Sequence, residues 1–206
     1  MSQKVIQFIG TQRSGSNLLR LMLNQHQGIS APHPPHILRT FMPFLSQYGD
    51  LKVRKNRFLL VDDVCRWVEC NPVEWSSVNF DRDEITDKTT SLLDLFEVIY
   101  QQKCATDQAK IWCCKSTFNI QYTLELEKAI QPFYIYLYRD GRDVATSFKK
   151  AYVGPKHIYQ IAQKWHREQI ETYSFLSSLA SHRYVWISYE ALIQDPEKVL
   201  HLICER

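Results

Sequence analysis

The stretch Val5-Ile6-Gln7-Phe8-Ile9-Gly10-Thr11-Gln12-Arg13-Ser14-Gly15-Ser16-Asn17-Leu18-Leu19 constrains the fold more than any other part of the chain. A short apolar run breaks at a glycine, turns, and enters a helical apolar pattern that continues through Leu21-Met22-Leu23. Glycines let the backbone curl, and the helix start aims unpaired N–H groups and a positive dipole end into that curl. A phosphate-like anion is the natural occupant. The spacing comes close to the triphosphatase loop Gly-x4-Gly-Lys-Ser/Thr, but Ser16 and Asn17 stand where Lys and Ser/Thr belong. The cation is Arg13, two residues before Gly15, so the loop lacks the lysine and the magnesium-binding hydroxyl of a kinase or GTPase. Taken alone, the segment also fits a plain strand-to-helix turn with a chance arginine.

Strand and helix patterns alternate along the rest of the chain. Val5–Ile9, Ile111–Cys114, Phe133–Tyr138 and Tyr184–Ile187 read as buried strands. Tyr122, Leu126, Ala129 and Ile130 share one helical face ended by Pro132, and Ile158, Ile161, Ala162 and Trp165 share another. This alternation predicts an α/β fold with a P-loop-like, mostly parallel sheet flanked by helices. From Pro32 to about Thr106 the alternation is interrupted, which predicts a helical insertion after the first βα unit, shaping a substrate pocket. With no repeat or linker in 206 residues, a single domain over 1–206 is expected.

Net charge is only +3, which argues against a nucleic-acid partner, but the charge is unevenly spread. Asp62 to Asp107 holds eleven acids and four bases, a net of −7, whereas Arg139 to Arg167 holds seven bases and two acids, a net of +5. The basic stretch suits an anionic ligand. No run of 18 apolar residues and no signal-peptide core occurs, so no membrane association is expected. Six cysteines without a Cys-x-x-Cys pair, two of them adjacent in an apolar run, suit buried thiols and read as a reduced, cytoplasmic protein, with an excised luminal domain as the alternative. His33-x-x-His36 has ligand-like spacing, but Pro34 and Pro35 intervene and no partner spacing supports it, so no metal is expected.

A second anion motif follows the strand 133–138: Arg139-Asp140-Gly141-Arg142-Asp143-Val144-Ala145-Thr146-Ser147. Asp140 is suited to cap the next helix, with Asp143 in its first turn. Arg139 at the strand end and Ser147 two turns on could converge on one phosphate. The competing reading is a surface salt-bridge cluster of Arg139, Arg142 and the two aspartates.

Together, Arg13-Ser14-Gly15-Ser16-Asn17-Leu18-Leu19 and Arg139 through Ser147 resemble the two signatures of the sulfotransferase family, which uses 3′-phosphoadenosine-5′-phosphosulfate (PAPS). The first is similar to the family's 5′-phosphosulfate loop in a bacterial-like variant, with Arg where cytosolic members usually carry Lys. The second is similar to its 3′-phosphate motif, with Arg and Ser eight residues apart. Trp112-Cys113-Cys114-Lys115-Ser116-Thr117 resembles the family strand that ends in a Lys near the sulfuryl group, and Tyr189-Glu190-Ala191-Leu192 with Asp195-Pro196 resembles its Tyr-Glu-x-Leu…Asp-Pro segment. The resemblance implies PAPS as co-substrate and 3′-phosphoadenosine-5′-phosphate (PAP) as product. It implies donor binding by Arg13, Ser14, Gly15, Ser16, Asn17, Leu18, Arg139 and Ser147, with Arg13 and Lys115 at the sulfuryl group. The acceptor would be a small molecule, a saccharide or a peptide.

The chain departs from the family pattern twice. It stops at Glu205-Arg206, before the usual C-terminal Arg/Gly-rich segment, and so reads as a short or truncated member. Thr117 stands where cytosolic members place a catalytic histidine. The general base is then sought in Ala31-Pro32-His33-Pro34-Pro35-His36, with His33 and His36 as candidates and Asp62-Asp63 as a third. A histidine that only stabilises a proline-rich turn remains the alternative for each. A nucleotide kinase or triphosphatase on the same fold, and an inactive PAP-binding module, are the rival functions. Oligomeric state is left open by the sequence.

Overall fold

In the computed structural model, which describes residues 4–206, five strands form one wholly parallel sheet. They are β1 (Lys4–Ile9), β2 (Ile29–Ser30), β3 (Ile111–Cys114), β4 (Phe133–Tyr138) and β5 (Tyr184–Ser188), ordered β2-β3-β1-β4-β5. Register pairs Val5 with Trp112, Phe8 with Ile135 and Leu137 with Ile187. The anticipated α/β class and parallel sheet are thus observed. β2 was not anticipated: two residues carry no periodic signal, and only pairing with Ile111 and Trp112 makes them a strand.

Strand side chains alternate between two packed layers. Val5, Trp112 and Cys114 face one side, where they meet α5 (Leu92–Thr106) through Phe96, Ile99 and Tyr100. Trp112 is 1% exposed and its ring lies 4.9 Å from Tyr100 and 5.6 Å from Phe96. Ile6, Phe8, Ile135, Leu137 and Ile187 face the other side, against Leu19 and Leu23 of α1 (Ser16–Leu23) and Val199 and Ile203 of α10 (Pro196–Cys204). The insertion after β2 is helical as expected: α2 (Ile37–Phe41), a 3-10 stretch (Met42–Tyr48), α3 (Arg54–Glu69), α4 (Arg82–Lys88) and α5.

The helical face expected from Tyr122 begins later. Thr117–Tyr122 forms a 3-10 turn and α6 covers Thr123–Ala129. The buried Asn119 amide donates to Gln7 Oε1 at 3.0 Å, tying this turn to β1 and overriding the local helical pattern. After β4, Asp140 caps α7 (Gly141–Lys150) by accepting from the Arg142 N–H, with Asp143 in the first turn. α8 (Ile158–Ser177) and α9 (Tyr189–Gln194) complete the order. No disulfide forms among the described residues; Cys65, Cys104, Cys113 and Cys114 are buried, while Cys70 and Cys204 are exposed. Burial pushes the Cys114 thiol up to about 11, so it is protonated and unreactive at neutral pH. Among the described residues no helix is long and apolar enough to cross a membrane.

Candidate active site

Backbone geometry at the β1–α1 turn is set by close approach. At Gly10 (φ +121°) an added Cβ would lie 2.6 Å from the Leu137 carbonyl oxygen. Gly15, at φ +89°, precedes α1 without any side-chain cap, so the first N–H groups of the helix stay available to a ligand. A Cβ on Gly15 would sit 2.3 Å from Cδ2 of Tyr189. Gly15→Ala therefore combines a left-handed backbone, costing roughly 1–2 kcal/mol, with a displaced tyrosine ring. A fall in melting temperature of at least about 2 °C is expected for a chain of this size, together with weaker anion binding; an unchanged melt would show that the turn relaxes out of its left-handed conformation as well as away from Tyr189. Arg13 itself has φ +70°, a conformation rare for a side-chain-bearing residue and held here by its neighbours.

A cavity of about 320 Å³ opens at the carboxyl ends of β1, β3 and β4, and Arg13, Lys115, Arg139, Ser147, His36 and Tyr189 all line it. Gly15, Ser16, Asn17 and Leu18 supply its loop wall. Arg13 Nε donates to Ser147 Oγ at 3.0 Å, and Arg139 Nη1 donates to the Arg13 carbonyl at 3.3 Å. The two motifs, 134 residues apart, thus form one site. The Arg139 guanidinium carbon stacks 4.1 Å from the Tyr189 ring centre, and Asp143 approaches to 3.8 Å. The anticipated surface cluster is split: Arg142, 92% exposed, pairs with Asp140 at 2.6 Å, whereas the Arg139 side chain is only 21% exposed.

Two buried polar atoms in this region have no partner among the described residues, Ser14 Oγ and Arg139 Nε. Such orphans are costly unless something else satisfies them. Burial lowers the Lys115 pKa, and the Arg20 and Arg13 charges lower it further. A buried lysine whose charge is disfavoured by burial and by neighbouring arginines would be relieved by an anion placed beside it. Arg20 donates to Asn17 Oδ1 at 3.1 Å, so that side chain is engaged in bracing the loop.

Of the two histidines, only His36 lines this cavity. Its Nδ1 lies 2.8 Å from Ser116 Oγ and its ring meets Phe118 edge-on at 5.1 Å. Burial, then the charges of Lys115, His33 and Arg39, pulls its pKa down to about 4. His33 lies one ring behind, 6.5 Å between centres, and lines a separate cavity with Arg20 and Trp75. Its carbonyl accepts from Trp75 Nε1 at 2.7 Å, and burial followed by the Lys115 and Arg20 charges lowers its pKa. Asp62 and Asp63 lie on α3, outside the cavity lining. Asp62 is held by Arg66 at 3.0 Å and Arg82 at 3.3 Å, and Asp63 accepts from Tyr48 at 2.8 Å. Thr117, at the position of the cytosolic histidine, is buried on the cavity wall. Sequence reasoning assigned no role to Tyr189 or Phe118. Tyr189 directly follows β5, and a strand-end position in a parallel sheet is the signal that could have flagged it.

The parallel sheet brings its glycine turn, two arginines and a lysine together at the strand carboxyl ends, the topological switch point of an α/β domain, and these groups are chemically suited to a phosphate-like anion. The chain belongs to the sulfotransferase family, whose sequence profile matches residues 6–206. Two solved structures share its fold. One is a sulfotransferase domain from the curacin biosynthetic pathway, with TM-score 0.63 and 23% identity, covering 100% of this chain and 73% of that one. The other is the sulfotransferase domain of the Synechococcus PCC 7002 olefin synthase, with TM-score 0.68 and 22% identity, covering 99% and 72%. No curated protein matches the chain.

Proposed function

We propose that this sulfotransferase takes its sulfuryl group from PAPS and passes it to a hydroxyl or amine of its acceptor. The convergence of Arg13, Lys115, Arg139 and Ser147 on one cavity beside two orphaned buried polar atoms carries this reading. The donor set fits the nucleotide's two anionic ends. The free N–H groups after Gly15 and the Ser14 hydroxyl would hold the 5′-phosphate, while Arg139 and Ser147 would take the ribose 3′-phosphate. Sulfuryl transfer, like phosphoryl transfer, is governed by positioning and charge stabilisation. Arg13 and Lys115 stabilise negative charge on the bridging oxygen as its bond to sulfur breaks. The acceptor oxygen forms the new bond to sulfur, and its proton passes to His36 Nε2. His36 Nδ1 lies 2.8 Å from Ser116 Oγ, and the tautomer in which Nδ1–H donates to that hydroxyl is the one that leaves the lone pair on Nε2.

Arg139→Ala is the direct test of the donor assignment. Charge-assisted hydrogen bonds are worth roughly 1.5–3 kcal/mol, so affinity for PAP should fall about 10- to 150-fold. Adenosine 5′-phosphate, which lacks the 3′ group, should lose little. Titration calorimetry on both ligands reads the difference, and an equal loss would remove Arg139 from the 3′-phosphate. Stronger thermal stabilisation by magnesium-ATP than by PAP would favour the kinase class instead. PAP binding without transfer to any acceptor would favour a non-catalytic module.

A further inference from the structure

The sheet order separates the cavity walls. Arg139 and Ser147 follow β4 on one flank of the β1 turn, whereas Lys115 and Phe118 follow β3 and His36 follows β2 on the other. If the donor's 3′-phosphate occupies the β4 flank, the acceptor reaches sulfur from the β3 flank, where the insertion helices stand. On that flank one arginine has no ionic partner among the described residues. The Arg39 guanidinium carbon lies 3.6 Å from the ring centre of Phe118, whose ring in turn meets His36 at 5.1 Å. Arg39 is therefore within about 9 Å of the His36 ring. Its charge is felt there: after burial, Lys115 and His33 it helps lower the His36 pKa, and it offsets part of the rise that burial and Glu125 produce at Tyr122.

The other arginines of the insertion are all engaged. Arg54 is held by Asp83 and Asp87, Arg66 by Asp62, Arg82 by Asp62 and Glu69, and Arg57 by the carbonyls of Leu51, Lys52 and Thr86. Arg39 is exposed and has no carboxylate or carbonyl partner among the described residues, although the 62–107 stretch carries a net charge of −7. A guanidinium held over an aromatic ring is oriented but not neutralised. Its in-plane N–H fork stays open for a planar oxyanion.

We infer that Arg39 is a specificity residue for the acceptor, and that the acceptor carries a carboxylate several ångströms from the hydroxyl that His36 deprotonates. This deepens the sulfotransfer reading and rests on it. Hydroxy acids such as 4-hydroxyphenylacetate, in which a ring separates phenol from carboxylate, have the required shape. Their amides have the same shape without the charge.

The test is a PAPS-dependent sulfation assay, read by product mass, on a panel of hydroxy acids and their matched amides. Wild type should favour each acid over its amide by about 10-fold or more in kcat/KM, chiefly through KM. Arg39→Met keeps an apolar cover on Phe118, and it should erase the preference while leaving PAP affinity unchanged. Arg39→Lys should restore part of it. If Arg39 served only to pack the ring, acids and amides would suffer equally in the Met variant, and that result overturns the inference. So does sulfation of amides alone, or a preference that survives in Arg39→Met. Failure of the underlying reading looks different: neither acid nor amide would be sulfated, or calorimetry would detect no PAP binding at all.

Discussion

His36→Ala is expected to bind PAP as wild type does and to lose turnover by about 10²- to 10⁴-fold, the usual contribution of a positioned general base. His36→Gln, which can keep a hydrogen bond to Ser116, should be comparably slow, because an amide cannot take the acceptor's proton. His33→Ala should leave turnover within a few-fold, since its ring lines the neighbouring cavity. The pH dependence sharpens the test. Burial and surrounding cations hold the His36 pKa at about 4, so the imidazole is neutral and competent throughout the range above it. The acid limb of kcat/KM should therefore fall near pH 4 rather than near 6.5, and it should vanish in His36→Ala. A limb centred at 6.5 that persists in the variant would assign the proton to another group. Stability follows by linkage. A histidine whose folded pKa is depressed takes up its proton more readily unfolded, so the fold weakens as pH drops from 6.5 towards 4. His36→Ala should lose less melting temperature across that window than wild type.

Arg13→Ala should lower kcat by about 10²- to 10³-fold, the scale for removing one preorganised donor from a developing charge. PAP affinity should change much less, because the product lacks the sulfuryl group. The backbone contact to Arg139 runs through the Arg13 carbonyl and survives the substitution. Lys115→Ala should behave alike, and the double variant should be less impaired than the product of the two losses, since both cations act on the same oxygen. Single-turnover rates alongside PAP calorimetry separate the two quantities. An Arg13 variant with full turnover and poor PAP affinity would reverse the assignment, making Arg13 a nucleotide ligand. Its 3.0 Å contact with Ser147 makes that comparison worth running in Ser147→Ala as well.

Much of this was legible before any fold was known, for local reasons. Four of the five strands are apolar runs whose period sorts Val5 from Ile6 and Trp112 from Cys113 onto opposite layers. The glycines of the β1–α1 turn mark backbone conformations that side chains resist. The cap at Asp140 is a short-range signal of the same kind. The family membership followed from motifs built on these local rules.

What the sequence determined by itself, then, was the parallel α/β class, the helical insertion, and the two segments whose arginines and serine line the cavity. Tertiary structure decided which groups meet. His33 and His36 are indistinguishable as letters in a proline-rich turn. A left-handed backbone at His36 and a hydrogen bond to Ser116, 80 residues away, put one ring on the cavity and leave the other behind it. Tyr189 gains its place against Gly15 and under Arg139 only because β5 pairs with β4. Arg39 meets none of the acids of the 62–107 stretch, and its guanidinium lies instead over the ring of Phe118, which follows β3 on the far side of the insertion. Turn and strand chemistry is set within a few residues, whereas convergence on a site depends on contacts between distant segments that exist only once the sheet has formed.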